Sequence, residues 1–103
     1  MKDHLPPIPL DDTALKITAI ETARPADVFP CVLFCRIHTD QGIVGCGESY
    51  YMPEAIEAVI HEWAPKRLIG GDALAIESHW RFLYERAANI GVRGAELRAL
   101  SAI

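Results

Sequence analysis

Thr39-Asp40-Gln41-Gly42-Ile43-Val44-Gly45-Cys46-Gly47-Glu48 is the stretch that decides how this chain folds. Gly42 suits the left-handed backbone that closes a hairpin with a bulge, and a β-branched run follows it at once. Gly45 and Gly47 stand two residues apart, so in a strand they share one face. On that face either another backbone comes close or the strand bends. Residues 43–48 therefore read as a return strand. Upstream, residues 31–39 supply the strand before the turn, and the β-branched residues 15–22 supply a first one. Between those two lie Pro25 and Pro30, which have no N–H and cannot continue a ladder. The expected sheet is a three-stranded antiparallel meander.

Beyond residues 49–52, expected as a loop, the apolar period changes from two to 3.6. Pro53 falls at a first helical position, and Glu54 and Glu57 favour the positive end of a helix. Ala55, Ile56, Val59, Ile60 and Trp63 make its apolar stripe, Pro65 is expected to break or kink it, and Gly70-Gly71 to end it. Asp72 is the expected N-cap of a second helix whose Ile76, Trp80, Leu83 and Tyr84 share one face. A third helical pattern begins near Arg93 and runs to Ile103 with no Gly, Asn or Pro to stop it. The expected fold class is thus α+β, a meander followed by about three helices, with residues 1–14 a mobile leader and residues 15–103 one domain. The apolar end of the chain suggests a cut at a domain junction, with Ile103 facing more protein. Leu97, Leu100 and Ile103 are the expected exposed apolar surface, which would make the isolated chain self-associate.

Length and charge narrow the function classes. The chain has 103 residues, whereas a (β/α) barrel takes about 250. Ten Lys and Arg against 14 Asp and Glu leave a net charge of −4, without the basic footprint of nucleic-acid or anionic-membrane binding. No apolar run approaches the roughly 20 residues of a membrane span. A proline-broken N-terminus with no signal-peptide core, and an odd count of three cysteines, point to a reducing, cytoplasmic location.

The chemistry-bearing residues are sparse. Cys31, Cys35, His38 and Cys46 invite a zinc reading, but at ~3.3 Å per residue Cys31 and Cys35 lie ~13 Å apart on one strand. Zinc thiolates must sit within ~4 Å of each other. Buried structural cysteines are expected instead. His61 and His79 read as solvated or half-buried helix positions, and Glu54 with Glu57 as helix-start charge. There is no phosphate loop, nucleophile motif or lysine in an apolar setting. Residues 22–30 and 49–53 stand out: they leave the same end of the meander and carry Arg24, Phe29, Tyr50 and Tyr51 with no element to bury them. These four are the candidate functional residues, and ordinary loop packing is the competing reading.

Taken in order, several motifs resemble one family: Lys16-Ile17-Thr18-Ala19-Ile20-Glu21, the run from Thr39 to Glu48, Leu68-Ile69-Gly70-Gly71-Asp72, Ile76-Glu77-x2-Trp80-x3-Tyr84 and Leu97-Arg98-Ala99-Leu100-Ser101-Ala102-Ile103. They look like the N-terminal capping domain of the mandelate racemase/muconate lactonizing enzyme family, within the enolase superfamily. Gly91-Val92-Arg93-Gly94-Ala95 looks more like the sugar-acid dehydratases of that family than its cycloisomerases.

The resemblance implies a parent enzyme, an isomerase or lyase, that is a racemase or dehydratase of hydroxy or sugar acids. Its barrel would supply three carboxylate ligands for Mg2+ and the Lys or His bases that remove a proton α to a carboxylate. The implied partners are that C-terminal barrel domain and a small carboxylate substrate, in a homo-oligomer. This chain would hold no catalytic or metal-binding residue, bind no cofactor and be inactive alone. Its part would be to close the site with two loops, excluding water. Arg24 would meet a carboxylate or hydroxyl, and Tyr50 or Tyr51 would wall the pocket. The alternative is a stand-alone, non-catalytic α+β interaction module.

Overall fold

A computed structural model describes residues 15–89, 91 and 94–103. The leader expected over residues 1–14 and the helix start at Arg93 lie outside those residues. Strands β1 (Ile17–Ala23), β2 (Val32–Thr39) and β3 (Val44–Tyr50) form one antiparallel sheet in the order β1-β2-β3. Helices α1 (Pro53–Leu68), α2 (Ile76–Ala88) and α3 (Ala95–Ala102) follow. The meander-then-helices architecture is the one the sequence predicts. Gly42 closes the β2–β3 hairpin with φ of 81°, and Thr39 N–H donates to the Ile43 carbonyl at 3.2 Å.

One face of the sheet carries the core. Leu33 and Cys35 of β2 point inward onto Ile56 and Ile60 of α1 and Ala99 and Ala102 of α3. Burial, with Cys46 nearby, pushes the Cys35 thiol up to about 11. The expectation of buried cysteines holds for Cys35 but not for Cys46, which is exposed. Cys46 pairs with Arg36, and that register turns it to the outer face. The shared face of Gly45 and Gly47 is approached closely at one end only. A Cβ on Gly47 would sit 2.0 Å from the Ala102 carbonyl oxygen, whereas one on Gly45 would meet nothing within 4 Å.

Four local expectations give way to packing. β3 runs on through Ser49 and Tyr50, because Leu33 and Val32 of β2 remain available to pair with them. Only Tyr51 and Met52 then separate β3 from α1. The α1 helix does not break at Pro65 but continues to Leu68. Its last turn is held by Ala64 and Leu68, which pack on Ile17 of β1 and outweigh one lost hydrogen bond. Ala55 is exposed, and the buried stripe is instead Ile56, Ile60, Ala64 and Leu68. Asp72 caps no helix: it stands four residues ahead of α2, and its carboxylate accepts the Leu74 N–H at 2.9 Å.

The exposed apolar surface also differs from the expected one. Leu100 is only 5% exposed, because α3 docks on α1 and the sheet. On α2, by contrast, Ile76 and Trp80 are 69% and 47% exposed, and only Leu83 and Ala87 are buried. Trp80 stacks on Tyr84 with centroids 4.7 Å apart. Ile76, Trp80 and Leu83, with Gly45, Ile37 and Ile103, border an apolar groove of about 350 Å³. His79 lines it too. Its Nε2–H donates to the Asp72 carbonyl at 2.9 Å, which leaves Nδ1 as a buried acceptor without a partner among the described residues.

Candidate functional site

The β1–β2 loop and the β3–α1 corner lie side by side at one end of the sheet. Ala23 pairs with Phe34 and Val32 with Tyr50, so both segments emerge at the same end. Within the first loop the Pro25 carbonyl accepts the N–H groups of Val28 and Phe29, at 3.0 and 2.8 Å. That turn pushes Val28 and Phe29 outward, both more than half exposed. The Tyr51 N–H then donates to the Cys31 carbonyl at 2.8 Å, joining the two segments through backbone.

The first loop is latched to α1 at its root. Thr22 faces inward and donates its one hydroxyl proton to Glu57 Oε2 at 2.6 Å. The same oxygen lies 2.8 Å from His61 Nε2 and so must accept, which puts a proton on that nitrogen. Arg24 Nε donates to Glu57 Oε1 at 2.9 Å, and its Nη1 stands 3.6 Å from Glu54. Glu57 and His61 are four residues apart, so one face of α1 offers both to the loop. Thr22, and behind it the Arg24 guanidinium, hold the Glu57 carboxyl below the usual glutamate range, burial opposing them.

The sign of that shift sets a pH window. A depressed carboxylate pKa contributes stability that is present above the ordinary value of about 4.3 and lost as pH falls through the lower, folded value. Glu57→Gln is therefore expected to flatten the dependence of the urea midpoint on pH between 5 and 3. An unaltered slope in that variant would show that the latch is not carried by this carboxylate.

The second segment is a strained corner. Tyr51 and Met52 have φ of 68° and 45°, a left-handed backbone that costs a non-glycine residue roughly 1–2 kcal/mol. It is braced from α3. Arg98 Nη1 donates to the Tyr50 carbonyl at 2.9 Å, and its guanidinium lies 5.3 Å from the centre of the Tyr51 ring. Tyr50 and Tyr51 meet edge to face at 4.6 Å, and both stay about half exposed.

The structure thus brings Arg24, Phe29, Tyr50 and Tyr51 to one end of the molecule, with Arg24 engaged by Glu57 and Glu54. Thr22, Glu57, His61 and Arg98 escape a sequence reading. The inward parity of Thr22 and the four-residue spacing of Glu57 and His61 are local signals that could have found the latch. Nothing local marks Arg98, whose partner is 48 residues away. Among the described residues no three His, Cys, Asp or Glu side chains gather to hold a metal ion.

A family model described as the N-terminal domain of mandelate racemase/muconate lactonizing enzyme matches residues 12–103. The chain belongs to that family. A D-galactonate dehydratase of Verminephrobacter eiseniae is 39% identical over 72 residues, covering 68% of this chain and 18% of its own length. One from Pectobacterium atrosepticum is 42% identical over the same coverage. Among solved structures, an enolase of the mandelate racemase subgroup from Agrobacterium tumefaciens is 38% identical, with a TM-score of 0.74 over 82% of this chain and 22% of its own. An L-talarate dehydratase from Polaromonas, solved with Mg and L-glucarate, is 28% identical, with a TM-score of 0.68 over 84% of this chain and 26% of its own. The chain therefore spans about a fifth to a quarter of the length of these relatives. Within the enolase superfamily it is an N-terminal domain, and its homologues are dehydratases and racemases. No helix among the described residues is long and apolar enough to cross a membrane.

Proposed function

We propose that this domain caps the active site of a dehydratase acting on a sugar acid, and that the two neighbouring loop segments form the lip over the substrate. The observation that carries the reading is their convergence. Two segments from different parts of the chain, joined by the Tyr51–Cys31 bond, present Phe29, Tyr50 and Tyr51 about half exposed at one end of the sheet. Exposed aromatics on pinned backbone suit a wall that excludes water from a reacting centre. Arg24 is the cation of the lip. Its Nε and Nη1 face Glu57 and Glu54, so it would meet a substrate carboxylate or hydroxyl only with the rest of its guanidinium.

The relatives named D-galactonate and L-talarate dehydratase support a sugar acid as substrate and a lyase reaction, in which a proton is removed α to the carboxylate. Mg2+ would stabilise the resulting enediolate in the parent. The described residues offer no ligand set for that ion. The metal ligands and the acid–base groups are assigned to a C-terminal barrel of the same protein. The apolar groove beside Ile76 and Trp80 is the face with unburied apolar surface to offer that domain. A cytoplasmic, homo-oligomeric parent completes the proposal.

The test compares the whole reading frame with this 103-residue chain, both assayed with Mg2+ against D-galactonate, glucarate, talarate and other sugar acids. Dehydration by the long protein and none by the chain is expected. Turnover by the chain alone would overturn the assignment of the catalytic groups, and no dehydration by the long protein would overturn the substrate class.

A further inference from the structure

We infer that Arg98 is a positioning residue that braces the two loop segments from α3 and so fixes the substrate-facing lip. The inference rests on the capping role proposed above. Two consecutive non-glycine residues, Tyr51 and Met52, hold a left-handed backbone. Such a conformation persists only when its surroundings over-determine it. Three contacts do so here. The Tyr51 N–H is taken by the Cys31 carbonyl at 2.8 Å, the Met52 carbonyl accepts the first helical N–H, from Ile56, at 3.0 Å, and Arg98 grips the residue before them.

Arg98 is the only one of these groups that comes from a different helix. It acts twice, through the Nη1 donation to the Tyr50 carbonyl at 2.9 Å and through the guanidinium face 5.3 Å from the Tyr51 ring. A planar guanidinium can make both contacts at once, and a lysine ammonium cannot. The brace reaches the first loop as well. Cys31, held by Tyr51, lies beside Val32, whose N–H donates to the Phe29 carbonyl at 3.2 Å. Loosening the corner therefore loosens the peptide that presents Phe29.

The experiment compares wild type, Arg98→Ala and Arg98→Lys in the intact protein, by amide hydrogen exchange and by steady-state kinetics on the sugar acid it dehydrates. In Arg98→Ala the Tyr51 amide is expected to exchange about tenfold faster, while the Cys35 and Ile37 amides of the central strand, which face β3, keep their protection. KM is expected to rise several-fold with kcat little changed, and Arg98→Lys to recover part of both effects. Unchanged exchange at Tyr51 overturns the brace. Faster exchange without a change in KM overturns the positioning role, and loss of protection across the whole sheet reduces Arg98 to a general stabiliser. Should wild type act on no sugar acid, the proposed function fails, and the exchange comparison still decides whether Arg98 holds the corner.

Discussion

Gly47→Val is expected to destabilise the domain by about 3 kcal/mol or more, whereas Gly45→Val should change stability by no more than about 0.5 kcal/mol. The two glycines share a strand and a face, so propensity and strand entropy cancel between them. They differ in what stands opposite. The Cβ of any residue at 47 would fall 2.0 Å from the Ala102 carbonyl oxygen and 3.0 Å from its carbon. Both atoms are backbone, so relief requires moving α3 away from the sheet. That movement would also open the contact of Ala99 and Ala102 with Leu33 and Cys35. At Gly45 the same Cβ projects into the open groove. Urea midpoints of the two variants measure the difference. Equal losses would mean that the close approach of α3 is not what demands glycine at position 47.

Ile60→Ala should be nearly as severe, at about 2–5 kcal/mol, while Ala55→Lys on the same helix should be close to neutral. Ile60 is fully buried between the sheet and α3, in one cluster with Leu33, Ile56 and Ala99. Truncation removes its apolar burial and leaves a cavity whose walls are held by three elements. A small domain has only about 5–15 kcal/mol of total stability, so such a loss brings it near the unfolding threshold. Ala55 belongs to the apolar stripe by sequence, yet it lies exposed. A thermal midpoint for Ile60→Ala within a degree or two of wild type would show that this cluster is not the core.

Legibility in the sequence follows the range over which each feature is decided. The hairpin at Gly42, the helix start at Pro53 and the left-handed exit at Gly70 each depend on one residue's backbone freedom and its immediate neighbours. All three stand where the sequence puts them. Pro65, expected to break or kink α1, does not break it. A proline costs one helical bond locally, but burial of Ala64 and Leu68 against β1 supplies more, and no local rule contains that contact. Ile76 and Trp80 share one face of α2 by their spacing. That spacing marks an apolar face, and only the packing of α2 leaves it without a cover.

The candidate site divides along the same line. Which residues occupy the two loop segments, and that both leave one end of the sheet, follows from strand order and parity. The role of each side chain does not. Thr22 and Glu57 are 35 residues apart and Tyr50 and Arg98 are 48 apart, and each pair meets only because a helix docks on the inner face of the sheet.

By itself, then, the sequence determined the order of elements, their turns and the faces of the strands, because these rest on backbone geometry over a few residues. It also carried the family resemblance, since the motifs that bear it are local runs in strands, turns and helices. Tertiary structure alone decided that Gly47 rather than Gly45 is the close approach. It likewise decided that Glu57 latches a loop and that Arg98 supports a strained corner. Those outcomes depend on where helices come to rest, and that is settled by the sum of burial over the whole domain.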